Sequence, residues 1–300
     1  MKIPIKGLMA ATFTPMHEDG SLKLEMVKPV VDRLIDSGMV GLYVCGTTGE
    51  GHALTTDERR AVAEAYIDAS AGRVPVIVHV GHNSLFEARS LADHARASGA
   101  SAISAMLPWH AAARNVDTVA DCIETVASAA PDLPFVFYHL PHNNDIDVVA
   151  LVQRLMIQVP SVSAVKFTDP RTHILQNVLD VADGKVSVYF GVDEMLASGL
   201  LAGAQVAIGS TYNFAAASNL RIVEAVDRGD LEAARMEQAR AAHVIRVILS
   251  HGGLAAQKQM MSFLGVDCGP TRLPHRALQP SQVQALQTNL DDIGFSGLIK

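Results

Sequence analysis

The sequence predicts an α/β fold, a closed (β/α)₈ TIM barrel with a C-terminal helical extension. Three observations lead there. Eight short apolar runs recur over the first 217 residues, most of them ending in Gly, Pro, Thr or Asp. The runs are continuous rather than alternating, as parallel strands covered on both faces require. Ala-rich amphipathic stretches lie between them, and strands alternating with helices imply a parallel sheet.

The strand candidates, in order, are "GLMAATFTP" (7–15), "GLYVCG" (41–46), "VPVIVHVG" (74–81) and "ASAISAML" (100–107), then "PFVFYHLP" (134–141), "VSAVKFTD" (162–169), "VSVYFGVDE" (186–194) and "GAQVAIGST" (203–211). Helix signals fall between them. Thr55 and Glu58 form a capping-box pattern ahead of "RRAVAEAYIDASAG", in which Val62, Ala65, Tyr66 and Ala69 share a face. Gly99 is a stop signal after "LFEARSLADHARAS". Eight such units match a closed barrel. An open doubly wound sheet would carry a Gly-rich loop after its first strand, and "TFTPMHEDGS" is not one. From about Ser218 the strand pattern stops, and "LEAARMEQARAAHVIRVILSHGG" reads as one long helix closed by Gly252 and Gly253. Residues 1–217 are therefore expected to supply the barrel strands and helices. Residues 218–300 are expected to supply the last barrel helix and the extension.

Composition narrows the function classes. The chain has 300 residues, 49% of them hydrophobic, enough for a large single core. Its net charge is -7 and its 24 basic residues form no block, which argues against nucleic acid. Cys45, Cys122 and Cys268 have no metal-type spacing and cannot all pair, so a reducing, cytoplasmic setting is expected. The start does not read as a signal peptide, and no apolar run is long enough to span a bilayer. The twelve histidines form no metal-binding pattern. Met260, Met261 and Phe263 read as core.

In such a barrel the active site lies at the C-terminal ends of the strands. Polar groups collect there: "CGTTGEG" (45–51), "FYHLP" (137–141), Lys166 and Thr168, "GVDE" (191–194) and "GSTYN" (209–213). Lys166 admits two readings. Burial disfavours a charged lysine, and a neutral amine attacks carbonyls to form Schiff bases. Alternatively the side chain snorkels to water or pairs with Asp169. Tyr138 is either a proton shuttle or a core tyrosine with its hydroxyl satisfied locally. Thr47 and Thr48, in a Gly-flanked turn, suit a carboxylate or form an ordinary strand-to-helix turn. Asp193 and Glu194 are adjacent and would face opposite ways on a strand. In a loop both could bind substrate hydroxyls.

Taken together, "GTTGE", "YHLP", "VKFTD", "GVDE", "GSTYN" and the later "GGLAAQKQMMSFLG" and "GPTRLP" resemble the dihydrodipicolinate synthase/N-acetylneuraminate lyase superfamily over essentially the whole chain. "KFTD", "FGVDE" and "GSTYN" match its N-acetylneuraminate lyase branch. The resemblance implies a Schiff-base aldolase that needs no metal or organic cofactor. It implies an α-keto or sugar-acid substrate and a homotetramer. It makes Lys166 the Schiff-base lysine and Tyr138 the proton shuttle, with Thr47 and Thr48 on the keto-acid carboxylate. Thr168, Gly191, Asp193, Glu194 and Ser210 would line the sugar-chain site. Asn143 stands where the synthases carry an arginine, which argues against that branch. The stretch "HNNDID" and the Trp109–His110 pair depart from the common lyase pattern. Another pyruvate-dependent aldolase or dehydratase, the synthase itself, and a catalytically silent keto-acid sensor are the alternatives.

Overall fold

A computed structural model describes residue 3 and residues 6–108, 115–141 and 146–295. Eight parallel strands close into a barrel in sequence order, β8 pairing back onto β1. They are β1 Gly7–Ala11, β2 Gly41–Val44, β3 Val76–His79, β4 Ala102–Ala105, β5 Phe135–His139, β6 Val162–Phe167, β7 Ser187–Phe190 and β8 Val206–Gly209. Each lies inside its predicted window and is shorter than it. The windows overrun because the chain stays buried past the last ladder bond: Thr12 and Thr14 after β1, and Asp169 after β6, are buried polar groups on loops.

The outer layer comprises α1 Val27–Asp36, α2 Thr56–Ser70, α3 Leu85–Ala97, α4 Val116–Ala127, α5 Val148–Gln158, α6 Thr172–Ala182, α7 Leu196–Leu201 and α8 Ala216–Asp227. Beyond them α9 Leu231–Ser250, α10 Leu254–Phe263 and α11 Pro280–Asp292 form the extension. The capping box of α2 is complete. Glu58 N donates to Thr55 Oγ1 at 3.2 Å, and Thr55 N donates to Glu58 Oε2 at 2.9 Å. Val62 and Tyr66 are buried on its inner face, with Ala65 and Ala69 half-buried beside them. Met260 and Met261 are fully buried and Phe263 packs against the same core.

The period of two divides the strand residues into two apolar clusters. Outward-facing residues such as Leu8, Val44, Phe137 and Phe167 meet the helices. Inward-facing Met9, Tyr43, Ile77, Val136, Ala164 and Ile208 fill the barrel. Burying each large apolar side chain stabilises the fold by about 1.5–3 kcal/mol. The interior is therefore a packed floor, and the site sits on top of it.

Candidate active site

Lys166 is the fifth of six residues in β6 and faces inward, two residues after Ala164. Its register partners are Tyr138 on β5 and Tyr189 on β7. The ammonium lies over two aromatic faces, 4.3 Å from the Tyr43 ring centroid and 4.1 Å from that of Tyr138. Such faces hold a cation without neutralising it. The sequence left pairing with Asp169 open, and the structure excludes it. Asp169 accepts from Arg171 Nη2 at 2.6 Å and Nε at 3.0 Å, and His139 Nε2 lies 3.4 Å away. Among the described residues Lys166 has no carboxylate at ion-pair distance.

Tyr138 is buried, its ring edge-on to Tyr43 at 6.1 Å and to His79 at 5.9 Å. Burial pushes its phenol up, but the Lys166 charge and the nearby Thr47, Thr168 and Lys166 side chains outweigh burial, leaving it below the ordinary tyrosine value. Thr168 Oγ1 lies beside the phenol, buried, without completing a hydrogen bond to any group among the described residues. Gly191 explains part of that placement: a Cβ there would collide with Thr168 Oγ1.

The "GTTGE" turn is wound tightly enough to put two non-glycine residues at positive φ, Cys45 at 59° and Glu50 at 54°. The two threonines of this turn face different cavities. Thr48 lines a cavity of about 510 Å³ that also contains Lys166, Tyr138, Gly191, Asp193 and Ser210. Thr47 lines a neighbouring cavity of about 590 Å³ with Cys45, Arg59, His79 and Asn83. Tyr138 lies where the two approach, since Thr47 also acts on its phenol. Glu50, last of the motif, is fully buried and turned away from both cavities. It pairs with Lys258 of α10 at 3.1 Å and accepts from Arg272 N at 2.8 Å.

Asp193 and Glu194 start a short 3₁₀ turn rather than continuing β7, so both line the Lys166 cavity. Asp193 is buried and Glu194 exposed. Asp193 Oδ2 accepts from Thr211 N at 2.9 Å and Thr211 Oγ1 at 2.8 Å. A Cβ at Gly209 would overlap its Oδ1, so only glycine allows the carboxylate there. Burial raises the Asp193 carboxyl to about 6 despite these two bonds.

The structure thus gathers Lys166, Tyr138, Thr48, Gly191, Asp193, Glu194 and Ser210 around one cavity, with Thr168 beside Tyr138 and Thr47 in the adjoining one. The sequence reading missed Tyr43, His79 and Gln257. Tyr43 was findable, because strict alternation in "GLYVCG" points it inward. Gln257 was not, because it enters from the extension. Trp109, His110 and Asn143 lie outside the described residues.

Comparisons with known proteins agree with this geometry. The family described as the dihydrodipicolinate synthetase family matches residues 4–293. The N-acetylneuraminate lyase of Rattus norvegicus is 35% identical over 309 residues, covering 99% of this chain and 96% of its own. N-acetylneuraminate lyase A of Xenopus laevis is 37% identical over 277 residues, covering 90% of each. The structure of Proteus mirabilis N-acetylneuraminate lyase superposes with a TM-score of 0.94 at 34% identity, over 97% of this chain and 99% of that one. A closed barrel with this cavity at its mouth, matched in sequence from residue 4 to residue 293, belongs to the dihydrodipicolinate synthetase family.

Proposed function

We propose that the chain is a Schiff-base aldolase that cleaves N-acetylneuraminate to pyruvate and N-acetylmannosamine. The observation that carries the proposal is Lys166, held between two aromatic faces with no carboxylate at ion-pair distance among the described residues and opening on a cavity lined by hydroxyls and carboxylates. A lysine without a fixed hydrogen-bonding role is available as a nucleophile. The likeness to lyases from animals and bacteria supports the substrate.

The reaction balances with protein groups alone. Lys166 Nζ adds to the C2 ketone of the open-chain sugar acid, and loss of water gives the iminium. Tyr138 gives its phenol proton to the departing hydroxide, and the resulting phenolate, held by the iminium charge, takes the C4 hydroxyl proton. The C3–C4 bond breaks, its electron pair flows to the iminium, and N-acetylmannosamine leaves as the aldehyde. The enamine gains a proton at C3, and water hydrolyses the resulting iminium to pyruvate and free Lys166. Thr47, Thr48 and their turn hold the keto-acid carboxylate. Thr168, Gly191, Asp193, Glu194 and Ser210 receive the hydroxylated chain. Neutral and anionic acceptors suit hydroxyls and would repel the second carboxylate that an aspartate semialdehyde product carries.

A homotetramer, implied by the family resemblance of the sequence motifs, is part of this proposal, and the three free cysteines fit a reducing, cytoplasmic compartment. Among the described residues no helix is long and apolar enough to cross a membrane. The test is borohydride reduction in the presence of pyruvate, followed by peptide mapping, together with pyruvate release from a panel of sugar acids. The expected result is a reduced adduct on Lys166 and release from N-acetylneuraminate. Adduct elsewhere, or condensation of pyruvate with aspartate semialdehyde and no sialic acid cleavage, overturns it.

A further inference from the structure

The cavity above Lys166 has a wall that the barrel does not build. Ile245 and Leu249 reach it from α9 and Gln257 from α10. Gln257 Oε1 is buried and, among the described residues, makes no hydrogen bond. A buried carbonyl oxygen left unpaired costs free energy, so it marks a place for a donor. Its position is fixed by the next residue along. Lys258 Nζ donates to Thr14 O at 2.9 Å, Glu50 Oε1 at 3.1 Å and Pro270 O at 2.6 Å, so α10 is pinned to the same turn that presents Thr48. Gln257 therefore stands at a set distance from the carboxylate end of whatever Thr48 holds. Beside it, the buried Ile245 and the exposed Leu249 offer an apolar surface.

We propose that Gln257 is a specificity-determining residue that reads the acetamido group of the substrate. Its side-chain carbonyl accepts the amide N–H, while the methyl group rests against Ile245 and Leu249. This combination of one acceptor and an apolar patch matches an N-acetyl group better than a hydroxyl in the same place, which would set a polar atom against two branched aliphatic side chains. The inference rests on the sialic acid cleavage proposed above and names what distinguishes that substrate from other sugar acids.

The experiment compares Gln257→Met and Gln257→Ala with the unmodified enzyme. Pyruvate release gives kcat/KM for N-acetylneuraminate and for the nine-carbon keto acid that carries a hydroxyl in place of the acetamido group. Both variants should lose about tenfold of the preference for the acetamido substrate, the discrimination expected from one neutral hydrogen bond. Borohydride trapping of pyruvate on Lys166 should be as efficient as in the unmodified enzyme, which shows that the site is folded. An unchanged preference in both variants, with the unmodified enzyme active, overturns the role of Gln257 alone. An unmodified enzyme that traps pyruvate but cleaves neither sugar acid overturns the substrate reading and this inference together.

Discussion

Two lysines are buried among the described residues, and they have opposite surroundings. Lys258 donates all three of its N–H bonds, to Thr14 O, Glu50 Oε1 and Pro270 O, and has a carboxylate for a counter-ion. Lys166, 5% exposed, lies between the faces of Tyr43 and Tyr138 with no carboxylate in reach among the described residues. The first arrangement leaves no electron pair to spare and no direction in which to move. The second holds the amine by weak, non-directional forces beside an open cavity. Burial alone does not mark a reactive lysine; the kind of neighbour does. The two are also connected, since Lys258 grips Glu50 at the end of the turn whose Thr48 lines the Lys166 cavity.

The sharpest way to break this comparison is to remove each lysine. Lys166→Met should abolish turnover and pyruvate trapping while leaving the melting temperature near or above that of the unmodified protein, because an apolar side chain replaces an unpaired buried cation. Residual trapping on another lysine, or collapse of the fold, would reverse the assignments. Tyr138→Phe should lower turnover by about 10²–10⁴-fold and leave pyruvate binding nearly intact, as a proton-transfer role requires. Normal turnover would move the shuttle to another group.

Lys258→Met should act on stability first. It leaves Glu50 charged, buried and unpaired, and breaking such a pair destabilises by about 3–5 kcal/mol. Denaturant unfolding checks this. In Glu50→Gln/Lys258→Met much of the loss should return, because the orphaned charge is gone. A single variant as stable as the unmodified protein would mean that Lys258 is not the anchor its geometry describes.

Which of these features the sequence could reveal depends on how local their cause is. The eight strands were legible because burial on both faces leaves continuous apolar runs, and Lys166 was legible as the charge that interrupts one. Tyr138 followed from its place late in the fifth run. The pairing of Lys258 with Glu50 joins residues 208 positions apart, and no local pattern announces it. Tyr43 shares a layer with Lys166 only once the barrel closes. The assignment of Thr47 and Thr48 to different cavities belongs to a turn flanked by positive φ angles at Cys45 and Glu50, residues that seldom adopt them, and nothing local in the sequence announces it. Asp193 and Glu194 read as opposed because the seventh strand seemed to run through them, whereas the ladder ends at Phe190 and a 3₁₀ turn begins at Asp193.

Asp193 gives the smallest effect and one whose sign tests the comparison from the acidic side. It is a carboxylate buried with hydrogen bonds and, among the described residues, with no cation at ion-pair distance; the Lys166 charge across the cavity lowers its pKa by less than burial raises it. Its carboxyl is raised to about 6 by burial, above the unfolded value of 3.8. Between those two values the folded state binds more protons than the unfolded state, so this group makes stability fall as pH rises through that window and adds no further slope above it. Each pH step of one across the window costs about 1.4 kcal/mol, so the accumulated penalty at neutral pH is about 3 kcal/mol. Asn in its place accepts the same two bonds from Thr211 without ever ionising. The stability of Asp193→Asn relative to the unmodified protein should therefore climb from pH 4 to about 6 and then level off. Turnover should be lower in the variant if Asp193 binds a substrate hydroxyl as proposed, because the charge-assisted bond is lost. In the unmodified enzyme turnover should fall as pH drops through about 6. Unfolding free energies at several pH values, set beside pyruvate release at the same values, provide the check. A stability difference that is flat with pH would place the Asp193 carboxyl near its ordinary value and assign it a counter-charge.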